Sequence, residues 1–218
     1  IGNAFFRSGK LLQAMKHYEE VLNSTPDSDY KACYNLFLCH YAMGDKDRMK
    51  NDFTLLVDIR ANVIDVDDDL ASQAFSTPID DGDDISKQDE QLLVAAKLVT
   101  QAPDGTTDPD LYDWVIGVLD EENMDHIVNQ LELEKGNKLL KRKEISDAII
   151  ILEGLQQKDD KVKAASTTNL SCLSFLGGNS TKASEYADIA LEADRYSGKA
   201  LVNKGNCFFI EGDFVSAK

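Results

Sequence analysis

The sequence predicts an all-α chain of helical hairpins stacked as a right-handed superhelical solenoid and interrupted by one long acidic loop. Three observations predict it. Small and aromatic residues recur at a fixed period, which marks an array of supersecondary units. Within each period, apolar residues recur at i, i+3, i+4 and i+7, the signature of one buried helix face. Residues 58–90 carry dense aspartates instead, Asp65, Asp67, Asp68 and Asp69 and then Asp80, Asp81, Asp83 and Asp84, against only Arg60 and Lys87 as cations.

The period is that of the tetratricopeptide repeat (TPR), a helical hairpin of about 34 residues. Gly2, Gly9, Ala14, Tyr18 and Pro26 occupy its positions 8, 15, 20, 24 and 32. A looser unit follows, with Tyr34-Asn35-Leu36, Gly44, Met49 and Phe53, where Met replaces the usual small residue at position 20. The pattern restarts at Gly136, Ala148, Leu152 and Leu155, and continues through Asn169-Leu170-Ser171, Gly178, Ala183, Ala187 and Ala190. A last unit opens with Asn203, Gly205, Asn206, Phe208, Gly212 and Ala217. The anchors Ala14 and Met49, Ala148 and Ala183, and Ala183 and Ala217 each stand one repeat apart, to within a single position. Positions 8 and 20 are small because the two helices of a hairpin are expected to cross there. Gly9, Gly44, Gly178 and Gly212 are expected to end the first helix of each hairpin in the left-handed backbone that glycine adopts cheaply. Lys143 stands at the same position without that freedom. No hairpin buries its apolar face alone, so neighbours must stack.

Four segments follow. Residues 1–57 and 131–218 are TPR repeats, the outermost ones truncated, and 91–130 are degenerate helical units of the same solenoid. Residues 58–90 are an acidic flexible insertion, too poor in apolar surface to order. Helix is expected to resume at Ser86-Lys87-Gln88-Asp89, which reads as a capping box before Leu92, Leu93, Ala96, Leu98 and Val99. Pro103, Gly105 and Pro109 then punctuate the chain before the helical stripe Leu111, Trp114, Val115, Val118 and Leu119. Ile1 and Lys218 both fall inside helical patterns, so the sequence is expected to be a piece of a longer one.

Charge and composition narrow the function. Lys and Arg number 23 and Asp and Glu 39, a formal charge of -16 that repels phosphate backbones and anionic surfaces. Nucleic acid is therefore not expected as a partner. The apolar runs fall far short of the roughly 20 residues of a membrane span, so no membrane insertion is expected. Cys33, Cys39, Cys172 and Cys207 show no CxxC spacing and read as reduced, packed thiols. Counted as a calcium loop from Asp65, the chain has Leu70 where Gly is needed and Ser76 where Glu is needed. His17, His40 and His126 lack nucleophile companions, and no HExxH or phosphate-binding glycine loop occurs. No catalytic, cofactor or metal residue is assigned, and Trp114 has core spacing.

The candidate binding residues are asparagines. Asn35, Asn169 and Asn203 recur at position 6, and Asn3, Asn137 and Asn206 at position 9, on the first helix of each hairpin, which lines the concave side. An amide donates and accepts at once, which suits gripping the backbone of an extended segment. Asparagine is also common at these positions for the repeat's own sake.

Several strings go beyond a generic repeat: Tyr112-Asp113-Trp114, Lys158-Asp159 with Val162-Lys163, Thr168-Asn169-Leu170-Ser171, Tyr186-Ala187-Asp188-Ile189-Ala190, Asp194-Arg195-Tyr196 and Asn203-Lys204-Gly205-Asn206. With Ile1-Gly2-Asn3 and the Tyr34 to Asp45 unit, they resemble the Polaris family of TPR subunits of intraflagellar transport complex B. The resemblance implies a non-catalytic scaffold that supports cilium assembly, located at the cilium or flagellum, its basal body and the cytoplasm. It implies as partners the complex B subunits fifty-two, seventy, forty-six and thirty-eight. The acidic insertion matches nothing in that pattern. A second reading is the peptide-binding arm of an enzyme such as an O-linked N-acetylglucosaminyltransferase. A third, a chaperone adaptor, needs basic residues on the concave helices, where Lys199 at position 2 stands nearly alone.

Overall fold

The computed structural model describes residues 1–24, 29–70, 81–101 and 109–218, without the side chains of 63–70, 81–84 and 109. Eleven α-helices are present among the described residues: α1 (Gly2–Arg7), α2 (Leu11–Ser24), α3 (Tyr30–Met43), α4 (Lys46–Leu70), α5 (Asp81–Val99), α6 (Pro109–Glu121), α7 (Asp125–Lys141), α8 (Ile145–Gly154), α9 (Asp160–Leu176), α10 (Ser180–Ala193) and α11 (Gly198–Glu211). A 3-10 turn at Leu155–Gln157 continues α8. The helices form two compact units, Ile1–Ile127 and Val128–Lys218.

Six helix ends are closed by one backbone device. The N–H of the corner residue bonds the carbonyl three residues back, and the next N–H bonds the carbonyl five back, as in Gly44 to Tyr41 with Asp45 to His40, and Gly178 to Phe175 with Asn179 to Ser174. The other corners are Gly9, Asn123, Lys143 and Gly212. All six have positive φ, from 55° at Asn123 to 81° at Gly178 and Gly212. Four of them are the glycines expected from the sequence, and Lys143 adopts the same backbone (φ 66°) without the glycine. Capping then starts the following helix: Asp45 Oδ1 accepts from the N–H of Arg48, and Asn179 Oδ1 from that of Lys182.

The apolar stripes meet as the repeat requires. Ala14, Ala148 and Ala183, at position 20, are completely buried, as are Phe53 and Leu152 at position 24. The crossing partner of a position-8 glycine is position 20 in the last repeat, where a Cβ on Gly205 would stand 3.4 Å from the Ala217 carbonyl oxygen, but position 24 in two others. A Cβ on Gly2 would stand 2.8 Å from the Tyr18 ring, and one on Gly136 would stand 3.3 Å from Leu152. Where position 8 is serine, position 20 is again the partner: Ser171 Oγ donates to the Ala183 carbonyl at 2.7 Å. In the looser unit, Phe37 and Met49 occupy positions 8 and 20, and both are buried.

The acidic stretch differs from expectation at both ends. Helix α4 runs through the expected boundary at Asp58 as far as Leu70, and α5 begins at Asp81, ahead of the capping box at Ser86. The reason is visible in the core. Leu56, Val57, Ile59 and Arg60 continue the buried face of α4, Arg60 Nε donates to Asp89 Oδ1 of α5 at 2.8 Å, and the Tyr30 hydroxyl donates to the Gln88 carbonyl at 2.9 Å. Aspartate count alone concealed this anchoring. Residues 71–80, which complete the expected loop, lie outside the described residues, as do the side chains of Asp65, Asp67 and Asp69 weighed for calcium. Among the described residues no helix is long and apolar enough to cross a membrane.

The histidines serve the framework. His40 is buried on α3, and its Nδ1 lies 2.5 Å from Asp52 Oδ2 of α4. Burial pushes the Asp52 carboxyl above its ordinary range, although the His40 contact pulls it down. His17 stacks on Phe5 at 5.5 Å between ring centroids, and His126 Nε2 lies 3.1 Å from Asp89. Trp114 packs with its ring centroid 6.0 Å from that of Phe53, and the Lys50 amine stands 5.2 Å above the indole, close enough for a cation–π attraction.

Candidate protein-interaction grooves

All six asparagines line hollows, five of them in two grooves. In the first unit, Asn3 of α1 and Asn35 of α3 border a 450 Å³ hollow together with Tyr18 and Asp29. In the second unit, Asn137 of α7, Asn169 of α9 and Asn203 of α11 border two hollows of 820 and 600 Å³ that share Thr168, Asn169 and Lys199. Those two form one continuous groove across the first helices of successive hairpins. Asn206 is set apart: it is exposed and borders a separate hollow with Phe209 and Ser216.

The asparagines meet each other, which their positions in the repeat alone do not reveal. Asn35 Nδ2 donates to Asn3 Oδ1 at 3.3 Å, and Asn169 Nδ2 donates to Asn137 Oδ1 at 2.7 Å. Position 6 of one repeat thus bonds position 9 of the repeat before it. Asn203 Nδ2 reaches back in the same direction to the Thr168 carbonyl at 2.9 Å. Tyr18 strengthens the first clasp by donating its hydroxyl proton to Asn3 Oδ1 at 2.7 Å. Burial raises that phenol's pKa and so keeps the proton in place. Part of each amide's capacity is therefore spent on joining neighbouring helices. The rest faces the hollow, because an amide offers two donors and two acceptor lone pairs.

The groove of the second unit also gathers charge that the sequence scatters. Lys141 from α7, Lys161 from α9 and Lys199 from α11 all line it, with Asp160 and Asp194. Only Lys199 was legible from its repeat position. Lys141 and Lys161 border the same hollow, a tertiary relation that repeat numbering does not encode. Cys172, the exposed thiol among the four cysteines, stands on the same groove. Among the described residues no cluster of His, Cys, Asp and Glu could hold a metal ion.

The chain is 32% identical over 216 residues to the human Intraflagellar transport protein 88 homolog, an alignment that covers 90% of this chain and 25% of the human protein. Along this stretch the chain is a relative of that protein. It spans about a quarter of the length of the human relative. No family model matches the chain. The likeness carried by Tyr112-Asp113-Trp114 and the strings that follow it is thus part of a relationship that extends over nine-tenths of the sequence. The all-helical architecture of the described residues accords with a helical-repeat protein.

Proposed function

We propose that this chain is part of a non-catalytic scaffold subunit of intraflagellar transport complex B, which binds other subunits through its stacked hairpins and supports cilium assembly. The observation that carries the reading is the sequence relationship to the human Intraflagellar transport protein 88 homolog. The open grooves across α7, α9 and α11 suit the role, since they offer polar floor and apolar wall to an extended or helical segment. Subunits fifty-two, seventy, forty-six and thirty-eight are the partners this reading expects, at the cilium or flagellum, its basal body and in the cytoplasm. Asn3, Asn35, Asn137, Asn169, Asn203 and Asn206 remain its candidate contact residues, with most of the binding energy coming from a few buried anchors. Affinity purification of the full-length protein from ciliated cells, followed by mass spectrometry, tests it. Stoichiometric recovery of other complex B subunits is expected, and their absence refutes the reading.

A further inference from the structure

A hollow of 420 Å³ opens in the first unit where the end of α3 and the start of α4 meet the end of α5 and the start of α6. None of the six asparagines borders it, so it is a surface distinct from the grooves above. Buried Met49 and Val99 form its floor, half-buried Leu98 and Leu111 its sides, and exposed Tyr41 and Ala42 its rim. Apolar surface continues past that rim, because Tyr41 is 43% exposed and Met43 48%. A mostly apolar concavity of several hundred cubic ångströms with a few polar groups is the ordinary form of a binding pocket, and Tyr and Met are side chains that protein interfaces favour. The polar groups here are Lys46, Lys50 and Gln101, and no Asp or Glu borders the hollow among the described residues. Its lining thus carries two positive charges in a chain where acids outnumber Lys and Arg 39 to 23. The Lys50 amine is positioned by the Trp114 ring, 5.2 Å below it. Asp45, at the α3–α4 corner, is engaged by Arg48, whose N–H bonds its Oδ1 and whose Nε stands 3.4 Å from its Oδ2, and Asp47 does not border the hollow.

We propose that this hollow docks a segment of a partner protein that inserts a large apolar side chain between α3, α4, α5 and α6 and sets a carboxylate beside it, against Lys46 and Lys50. This rests on the scaffold reading above and adds a second face, at a hairpin corner, with its own chemistry. The apolar side chain leaves water for the space over Met49 and Val99, which supplies the affinity, and buried anchors of that kind dominate the energetics of interfaces. The amines supply the selection, since complementary charge chooses the partner and fixes its register more than it adds affinity. A purely acidic segment lacks the anchor, and a purely apolar one leaves both amines unanswered.

The test uses the full-length protein and a fluorescein-tagged synthetic peptide in which Phe and Leu, four positions apart, are each followed by Glu in a background of Ser and Ala. One counterpart has Ala for Phe and Leu, another has Gln for Glu, and dodecanoate serves as a lipid acid of the same amphipathic character. Fluorescence anisotropy is expected to show binding of the parent peptide. Loss of the apolar pair is expected to weaken it about tenfold or more, and loss of the carboxylates about fivefold, two exposed ion pairs compounded. Ala42→Trp, which fills the hollow from its exposed rim, is expected to abolish binding. Lys46→Glu is expected to weaken it about fivefold and Lys46→Arg to leave it unchanged, and these two decide the matter if Ala42→Trp alters the circular dichroism spectrum. Hydrogen–deuterium exchange at the α3–α4 corner is expected to slow when the peptide binds. Absence of peptide binding, equal binding of either altered peptide, unchanged affinity in Lys46→Glu, unslowed exchange at the corner, or binding of dodecanoate in place of the peptide would each overturn the proposal. Recovery of complex B subunits from cells by the wild-type protein is scored separately, so failure of the scaffold reading is recognised by its own result.

Discussion

Replacing Lys143 with glycine should stabilise the protein, and the six helix corners give the magnitude. All share one pattern of backbone hydrogen bonds, and four have glycine at the positive-φ residue. Lys143 holds φ 66° with a Cβ, which costs about 1–2 kcal/mol for an L-residue in the left-handed region. Glycine removes that strain but loses more backbone freedom on folding, about 0.5–1 kcal/mol. The expected net gain is therefore about 0.5–1 kcal/mol. The reciprocal change, Gly178→Lys, meets no steric obstacle, since nothing lies within 4 Å of a Cβ built there. Its loss of about 0.5–1 kcal/mol would thus be conformational alone. Urea unfolding followed by far-UV circular dichroism reads both, as opposite shifts in midpoint at constant slope. A Lys143→Gly variant no more stable than wild type, or a Gly178→Lys variant without loss, would show that the shared corner geometry does not set the energy.

The buried His40–Asp52 contact predicts that His40→Phe leaves a desolvated carboxyl without its partner and costs about 3 kcal/mol or more. Burial already raises Asp52, and a group with a raised folded pKa contributes stability below its unfolded value and loses it as pH rises through the folded one. The variant should therefore be least impaired at acid pH in urea unfolding, and a flat pH profile would contradict this. Asn137 and Asn169 share an amide bond, and a double-mutant cycle of Asn137→Ala and Asn169→Ala should assign it a coupling of roughly 1 kcal/mol. Additivity would show that the clasp contributes nothing. In native alkylation, Cys172 should react while Cys33, Cys39 and Cys207 stay protected until unfolding. Burial adds to this by raising all three thiols, Cys39 to about 11, which leaves little reactive thiolate. Fast native labelling of Cys33 would count against the packing described.

Much of the fold was legible because helical hairpins write their contacts into short-range spacing. Gly44 and Gly178 mark corners by a backbone requirement, and Ala14, Ala148 and Ala183 mark close packing by size, so each signal sits within one repeat. The acidic stretch was misread for the complementary reason. Whether α4 continues past Asp58 depends on Arg60 meeting Asp89 and on Tyr30 meeting Gln88, partners 29 and 58 residues apart. The asparagines were found by periodicity, but their pairing was not, since Asn137 and Asn169 touch only once two hairpins are stacked. Lys141 and Lys161 carry no repeat signal at all, and only the folded chain brings them to the hollow that Lys199 also borders.

The amide clasps also act as a ruler. Asn169 bound to Asn137, and Asn203 bound to the Thr168 carbonyl, fix the register of α7, α9 and α11 beneath the groove. Packed helices lie about 8–10 Å apart, and an extended strand advances about 3.3 Å per residue. A segment laid across these helices would meet a new repeat roughly every third residue. The spacing of side chains in a ligand, and not merely their kind, would then decide whether it matches.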